Sequence, residues 1–161
     1  MACSKYSKNS ERHHVYSDGC CFDNGRSSAR GGIGVYIDEN HPGNVSKPLD
    51  SSLPQTNNRA EIRAGAEAIK VCREQGYRDV VIHSDSTLLC RGMNEWVEGW
   101  ICNDWNRSNG EPVENRADFE AVLSARDQYP PMNVEFRHIA RGSDSGNIAA
   151  DRLAKDGASK Y

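Results

Sequence analysis

Apolar and polar positions alternate with a period of two from His14 to Phe22, which predicts a strand carrying Tyr16, Asp18 and Cys20 on one face. A second strand is expected over Gly31–Ile37 and a weaker third over Asn44–Lys47, with turns at Asp23-Asn24-Gly25 and His41-Pro42-Gly43. Connections this short imply an antiparallel meander. The period then changes to 3.6. Thr56 or Asn57 caps a helix that runs to about Gln75, and Gly76 stops it. Glu61, Ala64, Gly65, Ala68 and Cys72 fall on one stripe of that helix, and the small residues predict close packing on the sheet. Asp79–Ser84 is a short apolar run after a helix, the pattern of a buried parallel strand. Ser86–Asn94 reads as a short helix, Trp96–Asn115 as an irregular stretch and Arg116–Gln128 as a helix broken by Pro130-Pro131. Met132–His138 reads as a fifth strand. Asn147–Ser159 reads as a last helix packed through Ala150, Leu153, Ala154, Gly157 and Ala158, with Asp151 at the edge of that stripe. The order β-β-β-α-β-α-α-β-α predicts an α/β domain: a five-stranded mixed sheet, three antiparallel strands then parallel additions, flanked by helices.

Composition narrows the picture. The 161 residues suit one domain, expected over 13–161 after a polar lead-in at 1–12. A net charge of −3 argues against a generic electrostatic nucleic-acid binder but leaves a site-specific one open. The six cysteines show no C-x-x-C spacing and read as reduced thiols, hence an intracellular protein whose compartment (nucleus, cytoplasm or mitochondrion) stays open. No apolar run has transmembrane length, so no membrane association is expected. No protein partner is indicated, and a monomer is expected.

Candidate chemistry lies in four acids, each in a segment suited to presenting a carboxylate: Asp18 before Gly19, Glu61 heading the helix stripe, Asp85 after the apolar strand, and Asp151 early in the last helix. Glu61 points toward the sheet, which is costly for a carboxylate without a partner or a metal. Asp85 sits where open α/β sheets place ligands. Any one of these acids alone reads as an ordinary turn, cap or surface residue. Four that converge would repel one another unless a cation sits between them, which points to hard divalent metals, Mg2+ first. Two such ions suit in-line displacement at a phosphodiester.

At these motifs the chain resembles the catalytic domain of type 1 ribonuclease H in its eukaryotic form, from about His13 to Ala158. The resemblance rests on Ser17-Asp18-Gly19-Cys20-Cys21, Gln55-Thr56-Asn57-Asn58-Arg59-Ala60-Glu61, Ser84-Asp85-Ser86, Trp96-x-x-x-Trp100, and Gly146-Asn147 with Asp151-Arg152-Leu153-Ala154. It implies an endonuclease cutting the RNA strand of an RNA–DNA hybrid and leaving 3′-hydroxyl and 5′-phosphate ends. Asp18, Glu61, Asp85 and Asp151 would hold two Mg2+ ions, with Mn2+ a possible substitute. It further implies RNA-strand contacts from Gly19, Cys20, Cys21, Asn24, Asn57 and Asn58, with Glu61 sharing in them, where the 2′-hydroxyl marks RNA. DNA-strand contacts would come from Thr56 and Asn115 in a phosphate pocket and from Trp96, Trp100 and Ser108 in a groove. Capping, turn formation and core packing are the competing roles for these residues, core packing above all for Trp105.

The chain departs from the family in three places. The loop before the last helix lacks the expected histidine and is about one residue short; His138 lies too early and reads as a strand end. Arg141 falls close to that position and is read as an electrostatic contact to the leaving phosphate, with a solvated loop charge as the alternative. The tryptophan segment is mildly acidic, with Ile101 and Cys102 where lysines are expected. Pro54 stands where the phosphate pocket would have an arginine. These changes predict a high KM and a shallow salt dependence with the chemistry retained. No separate hybrid-binding module is read in the 161 residues. A retroelement-derived ribonuclease H and a weakly active or binding-only domain are the other readings.

Overall fold

A computed structural model describes residues 12–160. Its sheet contains β1 (His13–Phe22), β2 (Arg30–Tyr36), β3 (Val45–Pro48), β4 (Asp79–Ser84) and β5 (Asn133–His138), in the order β3-β2-β1-β4-β5. β1 and β2 pair antiparallel, as do β2 and β3; β4 joins β1, and β5 joins β4, in parallel. This is the mixed sheet expected from the meander and the two later apolar runs, with β1 at its centre. The helices are α1 (Asn57–Glu74), α2 (Thr87–Arg91), α3 (Val97–Cys102), α4 (Arg116–Asp127) and α5 (Ser145–Ala158).

The period-two pattern sends alternate residues to opposite faces of the sheet. On one face Val15, Val35 and Ile82 meet Ile62, Ile69, Leu89, Phe119 and Val122 in a core closed by α1, α2 and α4, while Ile33 packs in a second cluster with Leu49, Ala60 and Ala64. Each fully buried aliphatic side chain there contributes about 1.5–3 kcal/mol. The other face receives α5. It lies so close to β2 that a Cβ at Gly32 or Gly34 would run into the α5 backbone at Ala150, Ala154 and Ala158. On the α1 side, a Cβ at Gly19 would strike the carbonyl of Ala60 and the amide of Glu61.

Two boundaries differ from expectation. The segment read as irregular from Trp96 is helical to Cys102: α2 continues through a π-helical turn at Gly92–Trp96 into α3. The extra residue of that turn shifts the helix phase. Met93, Val97 and Trp100 thereby all reach the core, while Gly92 lets the turn lie against the Phe119 ring. The last helix begins at Ser145, not Asn147, because Asp144 caps it by accepting a hydrogen bond from the Asn147 amide at 2.9 Å. Most of the expected lead-in lies outside the described residues. Arg12 is anchored, its guanidinium donating to Asp79 at 3.0 Å and to Glu135 at 2.6 Å. No helix among the described residues is long and apolar enough to cross a membrane.

Candidate active site

Three of the four expected acids converge. Carboxylate oxygens of Asp18, Glu61 and Asp85 all lie within 4.8 Å of one another. Each comes from a different element: Asp18 from the middle of β1, Glu61 from the second turn of α1, and Asp85 from the residue after β4. The absent side chain at Gly19 makes the meeting possible, because it lets the α1 backbone at Ala60-Glu61 touch β1 next to Asp18.

The protein leaves this cluster short of positive charge. Asp18 is only 2% exposed, and Asp85 has a side chain only 3% exposed. Asp18 Oδ1 accepts from the Gly19 amide at 3.0 Å, Glu61 Oε2 from Asn57 Nδ2 at 2.9 Å, and Asp85 Oδ2 from Asn147 Nδ2 at 3.2 Å. Asp18 Oδ2 and Asp85 Oδ1 are buried without a hydrogen-bond partner among the described residues. Burial pushes the Asp18 carboxyl up to about 8, and the charge of Asp85, a side-chain contact with Asp151 and the charges of Glu61 and Asp151 add to the rise. Burial and then Asp85 raise Glu61 as well, against the pull of Ser86, Arg141 and Asn57. Orphaned buried oxygens in a set of hard carboxylate donors fit a hard divalent cation.

Asp151 stands at the margin. From its place on α5 it adds to the rise at Asp18 through a side-chain contact as well as its charge, while the set mutually within 4.8 Å is Asp18, Glu61 and Asp85. Lys155, one turn further along α5, holds Asp151 Oδ2 at 3.0 Å. Three of the expected four acids thus meet mutually, and the fourth reaches Asp18 while also pairing with its own helix neighbour.

Arg141 lies over the site. Its Nε is 3.5 Å from Asp85 Oδ2, and its side chain is 73% exposed. The Asp85 charge, and less so those of Asp18, Glu61 and Asp151, raise its pKa further. His138 ends β5 and sits 3.4 Å from Thr87 Oγ1. Asn147, part of the Gly146-Asn147 motif, has a place in the site that the motif alone does not reveal. Only 1% exposed, it donates to Asp85 and accepts from the Gly142 amide at 2.6 Å, so it ties the Arg141 loop to the acidic cluster. The signal was present in Asp144-Ser-Gly-Asn147, where a cap residue precedes an amide by three positions.

The expected nucleic-acid contacts fall in two groups around the triad. Asn24 Oδ1 accepts from the Asn57 amide at 3.2 Å, which joins the first turn to the head of α1 beside the half-buried Cys20 and Cys21. Burial, then the Asp18 charge, pushes the Cys20 thiol up to about 11, so it stays protonated at neutral pH. Asn58 is exposed. Thr56 caps α1 by accepting from the Arg59 amide at 3.1 Å. Asn115 stands at the N-cap position of α4 in the left-handed region, at φ 62°, without a side-chain bond to the helix amides. Both are tied to a residue that the sequence did not single out. Asp118, fully buried, accepts from Arg59 Nε at 3.0 Å, Arg63 Nε at 2.6 Å and Asn115 Nδ2 at 3.0 Å. Beyond it, Trp96, Trp100 and Ser108 line a groove of about 540 Å³. Trp105 is instead 8% exposed and packs in the core at 6.1 Å from Trp100.

The family model described as RNase H matches residues 10–159. Ribonuclease H1 of Mus musculus is 42% identical over 145 residues, covering 89% of this chain and 49% of that protein. Ribonuclease H of Schizosaccharomyces pombe is 36% identical, covering 94% and 54% respectively. The chain thus spans about half the length of these relatives. The Rickettsia akari ribonuclease H is 37% identical, covering 89% of this chain and 88% of that one. Among solved structures, LC9-RNase H1, a type 1 RNase H with the type 2 active-site motif, superposes with a TM-score of 0.70 at 29% identity, covering 91% of this chain and 71% of that one. A foamy viral protease-reverse transcriptase in complex with RNA/DNA hybrid shares the fold, with a TM-score of 0.73 at 22% identity over 92% of this chain and 20% of that one. The chain belongs to the RNase H family, as a type 1 catalytic domain.

Proposed function

We propose that this chain is a divalent-metal-dependent endonuclease that hydrolyses the RNA strand of RNA–DNA hybrids, leaving 3′-hydroxyl and 5′-phosphate ends, and that it works as a monomer. The observation that carries the reading is the convergence of Asp18, Glu61 and Asp85 within 4.8 Å, with buried oxygens of Asp18 and Asp85 unpartnered, in a chain of the RNase H family. Asp18, Glu61, Asp85 and Asp151 would hold two Mg2+ ions, with Mn2+ able to substitute. When bound, such a pair supplies an activated water and neutralises the developing charge on the leaving oxygen.

The chain's own residues supply the rest. Asn57, hydrogen-bonded to Glu61, is placed at the cluster edge with Asn58, Asn24 and the Gly19-Cys20-Cys21 strand, where a 2′-hydroxyl can meet amide donors and acceptors. Thr56 and Asn115 offer polar groups to a DNA-strand phosphate. The half-buried Trp96 and Trp100 offer aromatic faces to sugars without a 2′-hydroxyl. Arg141 takes electrostatic contact with the phosphate at the cleaved bond, and as an arginine it cannot act as the proton donor to the leaving oxygen.

Incubating an RNA–DNA hybrid labelled on each strand with Mg2+ tests this. Wild type is expected to cut the RNA strand alone, and Asp18→Asn is expected not to. Absence of cleavage by wild type in Mg2+ and in Mn2+ would sink the enzyme reading. A binding-only domain, favoured by the arginine in place of the loop histidine, would then be the better account. Cleavage of an RNA–RNA duplex would refute the hybrid specificity.

A further inference from the structure

Two adjoining hollows lie where the DNA strand is expected. The groove of about 540 Å³ carries Trp96, Trp100 and Ser108, and a second hollow of about 240 Å³ carries Asn58 and Asn115. Trp96, Trp100 and Arg107 line both, and among the described residues Arg107 is the only cation lining either. This matters because the neighbouring positive charge is missing or engaged. Pro54, Ile101 and Cys102 are uncharged. Arg91 lies over the Trp96 ring at 4.8 Å and pairs with Glu95; Arg116 lies over the Trp105 ring at 5.3 Å and pairs with Glu120.

Arg107 is differently held. A tight turn fixes its backbone: its amide donates to the Glu111 carbonyl at 2.6 Å, and the Gly110 amide donates to its own carbonyl at 2.8 Å. Its Nη2 meets Glu111 Oε1 at 2.8 Å, with side chains 43% and 66% exposed. A solvent-exposed pair of this kind has small net strength and exchanges readily. A backbone phosphate offers the guanidinium two non-bridging oxygens for the same bidentate contact, with the same single negative charge as the carboxylate.

We infer that Arg107 is a DNA-strand phosphate contact in this chain, and that Glu111 competes with the phosphate for it. The inference rests on the hybrid-binding reading proposed above. Its test is therefore equilibrium binding in metal-free buffer, read by fluorescence anisotropy of a labelled hybrid, which does not depend on cleavage. Arg107→Ala is expected to weaken binding roughly tenfold, the low end of what one charge-assisted hydrogen bond supplies. It should also make the slope of log affinity against log salt shallower by about one. Glu111→Gln is expected to act in the opposite direction and tighten binding. Replacing single DNA-strand phosphates by neutral methylphosphonates should reveal one position that weakens wild type but has no further effect on Arg107→Ala. Unchanged affinity and salt slope in Arg107→Ala would overturn the inference, as would weaker binding by Glu111→Gln or full additivity at every methylphosphonate. Failure of wild type to cleave in Mg2+ would count against the enzymatic reading and leave this binding result to stand or fall separately.

Discussion

The acidic cluster and the tryptophan protrusion treat charge in opposite ways. At the cluster, backbone contacts force carboxylates together: the missing side chain at Gly19 lets α1 touch β1, and Asp18, Glu61 and Asp85 meet with little compensating charge. At the protrusion, Arg91, Arg107 and Arg116 each pair with a glutamate four residues on. The first region stores a need for a cation, held by rigid secondary structure. The second has answered its own charge, with side chains that water reaches. A ligand gains most where the protein has left charge unanswered. The comparison therefore predicts strong metal dependence together with a weak electrostatic grip.

The largest expected effect is at the cluster. Asp18→Asn should lower turnover on a hybrid by roughly a thousandfold, since metal-assisted charge stabilisation is worth several kcal/mol. Measured without metal at pH 7–8, the same variant should be more stable than wild type, because folding forces Asp18 either to take up a proton or to hold a buried charge beside other acids, and the amide does neither. Loss of both activity and stability would contradict the account. Next comes Asp118→Asn, which leaves Arg59 and Arg63 without their buried partner. A cost of about 3 kcal/mol is expected in urea unfolding, near the lower end for breaking a buried pair because both arginines keep some exposure. KM should rise more than kcat falls, since Thr56 and Asn115 lose their common anchor.

Gly19→Ala sharpens the comparison from the backbone side. The added methyl meets the Ala60 carbonyl, so α1 must move away from β1. A loss of about 1–3 kcal/mol in thermal or urea unfolding is expected, as for overpacking elsewhere, with activity falling as Glu61 leaves Asp18. A variant as stable and active as wild type would show that close approach is not what assembles the site.

The pH dependence follows from Asp18. Its folded-state pKa of about 8 lies above the ordinary value of 3.8, so the folded protein binds the proton more tightly than the unfolded chain. The associated stability is fully present below about pH 3.8 and is lost as pH rises through about 8. Metal-free protein should therefore lose this contribution between those values, and Mg2+ should restore stability most at the alkaline end. Thermal melts in EDTA and in Mg2+ check both trends. The smallest effect is expected at Arg141, whose exposure limits its pull on Asp85. Arg141→Ala should lower turnover by less than about tenfold, and an unchanged rate would remove the arginine from the chemistry.

Much of this was legible in the sequence because it is local. Alternation in His14–Phe22 and small residues at Ala64, Gly65 and Ala68 fix which faces meet, and the segments around Asp18, Glu61, Asp85 and Asp151 mark the acids. What escaped depends on distance or on phase. The Asp118 clasp joins residues far apart in sequence, so no period reveals it. The continuation of the Ser86–Asn94 helix to Cys102 was hidden because a π turn breaks the 3.6 spacing between Leu89 and Trp100. The Asp151–Lys155 pair was readable from its four-residue spacing.

The most direct test is the rate of RNA-strand cleavage in Mg2+ as hybrid concentration rises, at two salt concentrations. The account predicts saturable cleavage with an ordinary kcat, on the order of 1–100 per second, and a high KM that changes little with salt. Cleavage that saturates at low hybrid concentration with a steep salt dependence, or no cleavage at any concentration, would contradict it.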